Sequence, residues 1–212
     1  MGRGGLRRIG LLGGTFDPPH VGHLWLATLA RDVLGLERVL VIPAAQPPHK
    51  QDRRVSPVED RVALVRAAIE DDPALELSTI EMERAGPSYT VDLVDALRAR
   101  LGAGTEPILI MAADSLAGIL AGGWRDTDRL LASLEWAVGP RPGADPATRG
   151  AITNRFGAAG ERIHLLDGPA LDVSGTEIRA RVAAGRAIRY LVPRRVEPEI
   201  AARGLYTPES TS

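Results

Sequence analysis

Apolar residues along the chain follow two alternating patterns. Short unbroken runs occur at Ile9-Gly10-Leu11-Leu12, within Arg38–Pro43, at Pro107 to Met111, at Trp136-Ala137-Val138 and at Ile163 to Leu166. Runs of this length and β-branched content suit strands buried on both faces of a parallel sheet. Between them lie stretches of helical spacing: Leu24 through Leu34, Val58 to about Glu70, Val91 to Leu101, and a last one entered after Ser174 and ending near Ala184. Val62, Val65 and Ile69 recur at helical spacing and predict a core-facing stripe. Leu75 to Ile80 alternates weakly and is predicted as a strand. Strand, helix, strand in this order predicts right-handed βαβ units and an α/β fold with a doubly wound parallel sheet. One domain over residues 1–212 is expected, with a small helical segment at about 174–206.

Local signals punctuate the pattern. Ser56-Pro57-Val58-Glu59 reads as a capping box with Pro at the first helical position. Asp71-Asp72-Pro73 ends that helix. Ser88 is a plausible cap for the helix after it. Ala44 to Val55 is polar and Pro-rich and reads as a loop able to close over a ligand. Ala144 to Arg162 predicts a short helix and surface, without a usable motif.

Composition narrows the class. The chain has 212 residues, 44% hydrophobic and 25% charged, enough for a sizeable core. A formal net charge of -1 provides no global positive field for nucleic acid or an anionic membrane. There is no cysteine, which excludes disulfides and thiolate metal sites and is compatible with a reducing cytoplasm. No apolar run approaches the roughly 20 residues needed to span a bilayer, and the first residues lack the apolar core of a secretory signal. A cytoplasmic protein is expected. Lys50 is the only lysine among 26 basic residues, and it falls beside His49 in the Pro-rich loop. A flexible point charge there would suit a mobile phosphate.

The chemistry concentrates in Gly13-Gly14-Thr15-Phe16-Asp17-Pro18-Pro19-His20-Val21-Gly22-His23. A predicted strand leads in and a predicted helix leads out, an arrangement that points backbone N–H groups and a positive helix end at an anion. A glycine-containing turn of this kind is common on its own. Here it carries two histidines at i and i+3, on one side of the first helical turn. Imidazole holds or donates a proton near neutral pH, and Gly22 lets a flat ligand approach the backbone. A phosphate-bearing nucleotide is the natural ligand.

This string resembles the nucleotidyltransferases with the HxGH signature, and within them nicotinate mononucleotide adenylyltransferase. Four further segments resemble that family in the same order: Pro47-Pro48-His49-Lys50; Pro87-Ser88-Tyr89-Thr90 before a helix; Ala112-Ala113-Asp114-Ser115-Leu116 followed by Trp124; and Val173-Ser174-Gly175-Thr176-Glu177-Ile178-Arg179. Arg141 before Pro142-Gly143 is similar to the family's phosphate-holding arginine. Two positions depart: Ala112 stands where a Gly is usual, and Gly175 where a second Ser is usual.

The resemblance implies a Rossmann-like nucleotidyltransferase fold and a reaction in which ATP and nicotinate mononucleotide give nicotinate adenine dinucleotide and pyrophosphate, a step of NAD biosynthesis. It implies that His20, His23 and Arg179 serve catalysis, with Gly13, Gly14, Thr15, Phe16, Gly22, Ser174 and Thr176 binding ATP. Lys50 and Arg141 would hold the mononucleotide phosphate, Tyr89, Thr90 and Trp124 the nicotinate, and Asp114 a ribose. Mg²⁺ would ride on the ATP phosphates, since no dedicated carboxylate cage is visible and no metal site on the protein is expected. The expected partners are these two substrates, with no nucleic acid or membrane and a possible homo-oligomer. Two alternatives stay open. One is another member of the same chemistry, such as pantetheine-phosphate adenylyltransferase or a cytidylyltransferase; the former usually has Thr where His20 stands and lacks Pro-Ser-Tyr-Thr and the later Trp. The other is a nucleotide-binding sensor without catalysis, which Ala112 and Gly175 alone would support.

Overall fold

The fold was obtained as a computed structural model, which describes residues 6–47, 55–84, 86–143 and 149–208. Six strands form one sheet: β1 Arg7–Gly14, β2 Arg38–Pro43, β3 Leu75–Leu77, β4 Thr105–Ala112, β5 Glu135–Gly139 and β6 Ile163–Leu165. Their order is β3-β2-β1-β4-β5-β6, the order of a doubly wound α/β sheet. The helices are α1 Val21–Leu34, α2 Val58–Ile69, α3 Thr90–Leu101, α4 Ala113–Leu120, α5 Thr127–Ser133, α6 Arg149–Phe156, α7 Gly175–Ala183 and α8 Val196–Ala202. The sequence pattern predicted every strand. It missed α4 and α5, which are short, and it set the start of α1 three residues late. The Leu75 to Ile80 strand is corrected: pairing stops at Leu77, and Ile80–Glu83 is a 3-10 turn with Ile80 and Glu81 buried.

The chain divides into two compact units. The first comprises Met1–Leu12, Leu26–Leu40 and Tyr89–Leu171. Here β1, β4, β5 and β6 pair in parallel, with Leu11 opposite Leu109, Ile110 opposite Ala137 and Trp136 opposite Ile163. Ile9, Ile108, Trp136 and Ile163 are fully buried, as expected for strands covered on both faces. Two glycines permit close packing. A Cβ at Gly10 would meet Ile110, Leu36 and Val39 at 3.0 Å or less, and one at Gly139 would stand 2.2 Å from Leu26 Cδ1. At the other end of the strands Arg8 bridges Glu106 at 3.2 Å and Glu135 at 2.8 Å, and His164 Nε2 meets the same Glu135 at 2.9 Å.

The second unit comprises Gly13–Trp25, Val41–Ser88 and Asp172–Ser212. Backbone bonds tie its strand ends: Ala44 N–H donates to Gly14 O and Ser78 N–H to Val41 O. Helices α2 and α8 pack together, and ion pairs flank them, Arg203 to Asp60 at 2.7 Å and Arg195 to Asp71 at 3.1 Å. On α2 the buried face is Arg61, Leu64, Val65, Ala68 and Ile69, whereas Val62 is only half-buried. The capping box at its start does not form. Pro57 takes the cap position without a side-chain bond, and Ser56 stands one residue outside it, its N–H donating to Asp17 and its carbonyl accepting from Arg61. Ser88 does not cap α3 either; its Oγ accepts from Gln46 N–H.

Candidate functional site

Strand β1 ends in Gly13-Gly14, and the chain then reverses through Phe16. This residue has φ 51°, in the left-handed region that costs a non-glycine residue. Its buried ring offsets that cost. The ring lies against Gly14, where a Cβ would stand 3.0 Å from it, and edge-on to His23 with centroids 4.9 Å apart. Gly13 faces open space, with nothing within 4 Å of a Cβ.

The two histidines form a unit. His20 is buried (5% exposed) and His23 half-buried. Their ring centroids lie 3.7 Å apart at 30°. The backbone N–H of His20 donates to His23 Nδ1 at 3.1 Å. An accepting Nδ1 assigns the proton of neutral His23 to Nε2, which makes that nitrogen the donor. The expectation that the start of α1 offers free N–H groups is corrected in part. Val21 N–H donates to Leu191 O, and His23 and Leu24 N–H both donate to His20 O. These three donors are used within the protein. Gly22 is also closer to a protein group than expected: a Cβ there would lie 3.1 Å from His20 Nδ1.

Helix α7 meets the same turn. Ser174 caps it, accepting from Glu177 N–H at 3.2 Å. Arg179, one turn on, donates through Nη1 to the backbone carbonyl of Asp17 at 2.6 Å and through Nη2 to Thr176 Oγ1 at 3.3 Å. The first and last motifs, far apart in sequence, are therefore brought together three residues before His20. Gly175 acquires a reason here. A Cβ on it would stand 2.8 Å from Asp17 O and 3.3 Å from Arg179 Nη1, closer than real Cβ atoms approach a backbone oxygen. Gly175→Ser is therefore expected to lower stability by about 1–3 kcal/mol through overpacking and to loosen Arg179 from Asp17. Thermal unfolding checks this; an unchanged melting temperature with raised turnover would contradict it.

Three residues that the sequence reading did not single out hold this turn. Asp17 is buried: Oδ1 accepts from the Tyr206 hydroxyl at 2.7 Å and Oδ2 from Ser56 N–H at 3.3 Å. Burial, and then the Asp17 carboxylate, push the Tyr206 phenol far above its ordinary range, so it remains a donor. Arg61 is 1% exposed and donates to four carbonyls: Ser56 O at 2.9 Å, Thr15 O and Ala44 O at 2.8 Å, and Ala45 O at 3.3 Å. Burial lowers its pKa and the Asp17 carboxylate opposes that shift. One signal was present: Arg61 occupies the apolar stripe of α2, at helical spacing from Leu64, Val65 and Ala68. A charge on such a stripe has to be buried with partners.

Of the residues expected to read the mononucleotide, Tyr89, Thr90, Asp114, Trp124 and Arg141 belong to the first unit. Tyr89 is the residue before α3 and carries the Arg125 guanidinium 5.0 Å from its ring centroid; Thr90 opens the helix. Asp114 is exposed in the first turn of α4, where it accepts from Ser115 N–H and lies 3.8 Å from Arg141 Nε. Trp124 is half-buried in the turn before α5, unlike Trp136, which is fully buried in the core. Ala112 has φ −88° and ψ 162°, extended backbone that any residue adopts, so this position does not demand a glycine. Lys50 lies outside the described residues. Among the described residues, no group of three or more His, Asp or Glu side chains is placed to hold a metal ion, and no helix is long and apolar enough to cross a membrane.

The model of the cytidylyltransferase-like family matches residues 11–181. A protein of Roseiflexus sp. strain RS-1 named probable nicotinate-nucleotide adenylyltransferase is 45% identical over 199 residues, covering 93% of this chain and 97% of that protein. A relative of the same name from Symbiobacterium thermophilum is 42% identical over 202 residues, covering 95% and 96%. Among solved structures, the Plasmodium falciparum nicotinic acid mononucleotide adenylyltransferase complexed with NaAD has a TM-score of 0.77 at 16% identity, covering 94% of this chain and 97% of that one, a likeness of fold.

Proposed function

The chain belongs to the cytidylyltransferase-like family and, within it, to the nicotinate-nucleotide adenylyltransferases; on that premise we propose how its own residues carry the reaction. The enzyme transfers the adenylyl group of ATP to nicotinate mononucleotide, giving nicotinate adenine dinucleotide and pyrophosphate in NAD biosynthesis. A phosphate oxygen of the mononucleotide attacks the α-phosphorus, and the bond from that phosphorus to the oxygen bridging to the β-phosphate breaks. The nucleophile is already an anion, so no protein base has to remove a proton. Catalysis reduces to holding two anions together and stabilising the charge that pyrophosphate takes away.

In our reading His23 donates from Nε2 to a phosphate oxygen as this charge develops, and His20 supports it from below. Gly13, Gly14, Thr15, Phe16 and Gly22 border the triphosphate. Ser174, Thr176 and Arg179 hold its β- and γ-phosphates. Lys50 and Arg141 serve the mononucleotide phosphate, Tyr89, Thr90 and Trp124 its nicotinate, and Asp114 a ribose. ATP enters as its Mg²⁺ complex, and the protein works in the cytoplasm. The observation that supports the ATP side best is the meeting of two remote motifs: the oriented His20–His23 pair and Arg179 gather on one buried turn.

Pyrophosphate release from ATP tests the whole reading. Nicotinate mononucleotide is expected to support turnover, and the amide mononucleotide, run beside it, measures the preference for the acid. Release with phosphopantetheine instead would reassign the acceptor. Nucleotide binding without release with any acceptor would make the chain a sensor.

A further inference from the structure

We propose that Tyr206, acting through Asp17, is a positioning residue for adenylyl transfer. The inference rests on the reading that His20, His23 and Arg179 handle the triphosphate. Asp17 takes a donor from each of three remote segments. The Tyr206 hydroxyl reaches Oδ1 at 2.7 Å, Ser56 N–H reaches Oδ2 at 3.3 Å, and Arg179 Nη1 reaches the backbone carbonyl at 2.6 Å while lying 3.9 Å from Oδ2. The Asp17 side chain is 4% exposed, so water is not at hand to replace a lost donor. Two prolines, Pro18 and Pro19, separate Asp17 from His20. Their restricted φ angles leave the segment little freedom to absorb a shift, so a displacement of Asp17 passes on to His20. Arg179 moves with it, because its guanidinium is bonded to the same residue.

Tyr206 is built for this contact. It sits with φ 63° near the end of the described chain and is 6% exposed. If its ring were needed only for packing, Phe would fill the space without burying a hydroxyl. The hydroxyl has a specific acceptor instead, and the bond ties the C-terminal segment to the turn that carries the histidines.

The test is a double-mutant cycle read in kcat and KM by pyrophosphate release, with circular dichroism to confirm folding. Tyr206→Phe is expected to lower kcat about ten- to a hundredfold, the cost of a small misplacement of groups that must be held in register, with both KM values within about threefold of wild type. Asp17→Ala is expected to lose at least as much. Because Tyr206 acts through Asp17, adding Tyr206→Phe to Asp17→Ala should change kcat by less than about twofold. If Asp17→Ala does not fold, Asp17→Asn replaces it: its amide oxygen still accepts from Tyr206, so the Tyr206→Phe loss should persist in that background. A Tyr206→Phe enzyme with wild-type kcat overturns the proposal, as does a double variant whose losses multiply. An inactive wild type overturns the functional reading and this proposal with it, whereas an active wild type with an indifferent Tyr206 overturns the proposal alone.

Discussion

Replacing His23 with alanine is expected to lower turnover with ATP and nicotinate mononucleotide by about 10²–10³-fold, the cost of removing one donor aimed at developing charge. The geometry explains why this position should be so sensitive. His20 N–H occupies His23 Nδ1, which leaves Nε2–H as the donor of the neutral ring. A donor already oriented by a backbone bond needs no reorganisation when the charge moves onto pyrophosphate. The substitution should spare the fold, because His23 is half-buried and its ring lies at the surface of the turn beside His20 and Phe16. His20→Ala differs: that ring is buried and fills the space beside Gly22, so stability and turnover should fall together. Steady-state pyrophosphate release beside thermal melts separates the two. Wild-type turnover in His23→Ala would remove the proposed role.

Arg61→Met is expected to lower unfolding stability by about 3–5 kcal/mol, the range seen when one partner of a buried charged network is removed. Methionine approximates the volume but brings no donors. The carbonyls of Thr15, Ala44, Ala45 and Ser56 would then lose a donor together, and carbonyls deprived of their partners away from water are costly. Arg61→Lys should recover only part of the loss, because one compact ammonium cannot span acceptors that a planar fork reaches at several points. Urea unfolding measures both variants. A midpoint for Arg61→Met equal to wild type would show that these bonds contribute nothing net. Activity should fall as well, since Thr15 belongs to the turn between Gly14 and His20.

The departures at Ala112 and Gly175 have different physical status. At Ala112 the backbone is extended and indifferent to a methyl. At Gly175 the helix presses on the Asp17 carbonyl, and the missing side chain is part of how Arg179 reaches its acceptor. The sequence alone could read the second only as a lost hydroxyl.

The sequence by itself determined the strand and helix alternation, the α/β class and the string of motifs, because periodicity and turn chemistry are written in neighbouring residues. It also singled out His20, His23 and Arg179 as candidates, the histidines by type and spacing and Arg179 through the resemblance of its motif. Among the local expectations that failed, the capping box at Ser56, the cap at Ser88 and the long strand from Leu75 each met a tertiary demand: the Ser56 backbone is engaged by Asp17 and Arg61, the Ser88 hydroxyl accepts from Gln46 N–H, and Ile80 and Glu81 turn inward. Only the tertiary structure decided that Asp17, Arg61 and Tyr206 meet at the turn that precedes the histidines. Their partners come from positions 15, 44, 45, 56 and 179, and no local spacing relates those positions. A buried polar group takes whichever donor or acceptor the fold brings within about 3 Å, and that choice is made by chain packing rather than by order along the chain.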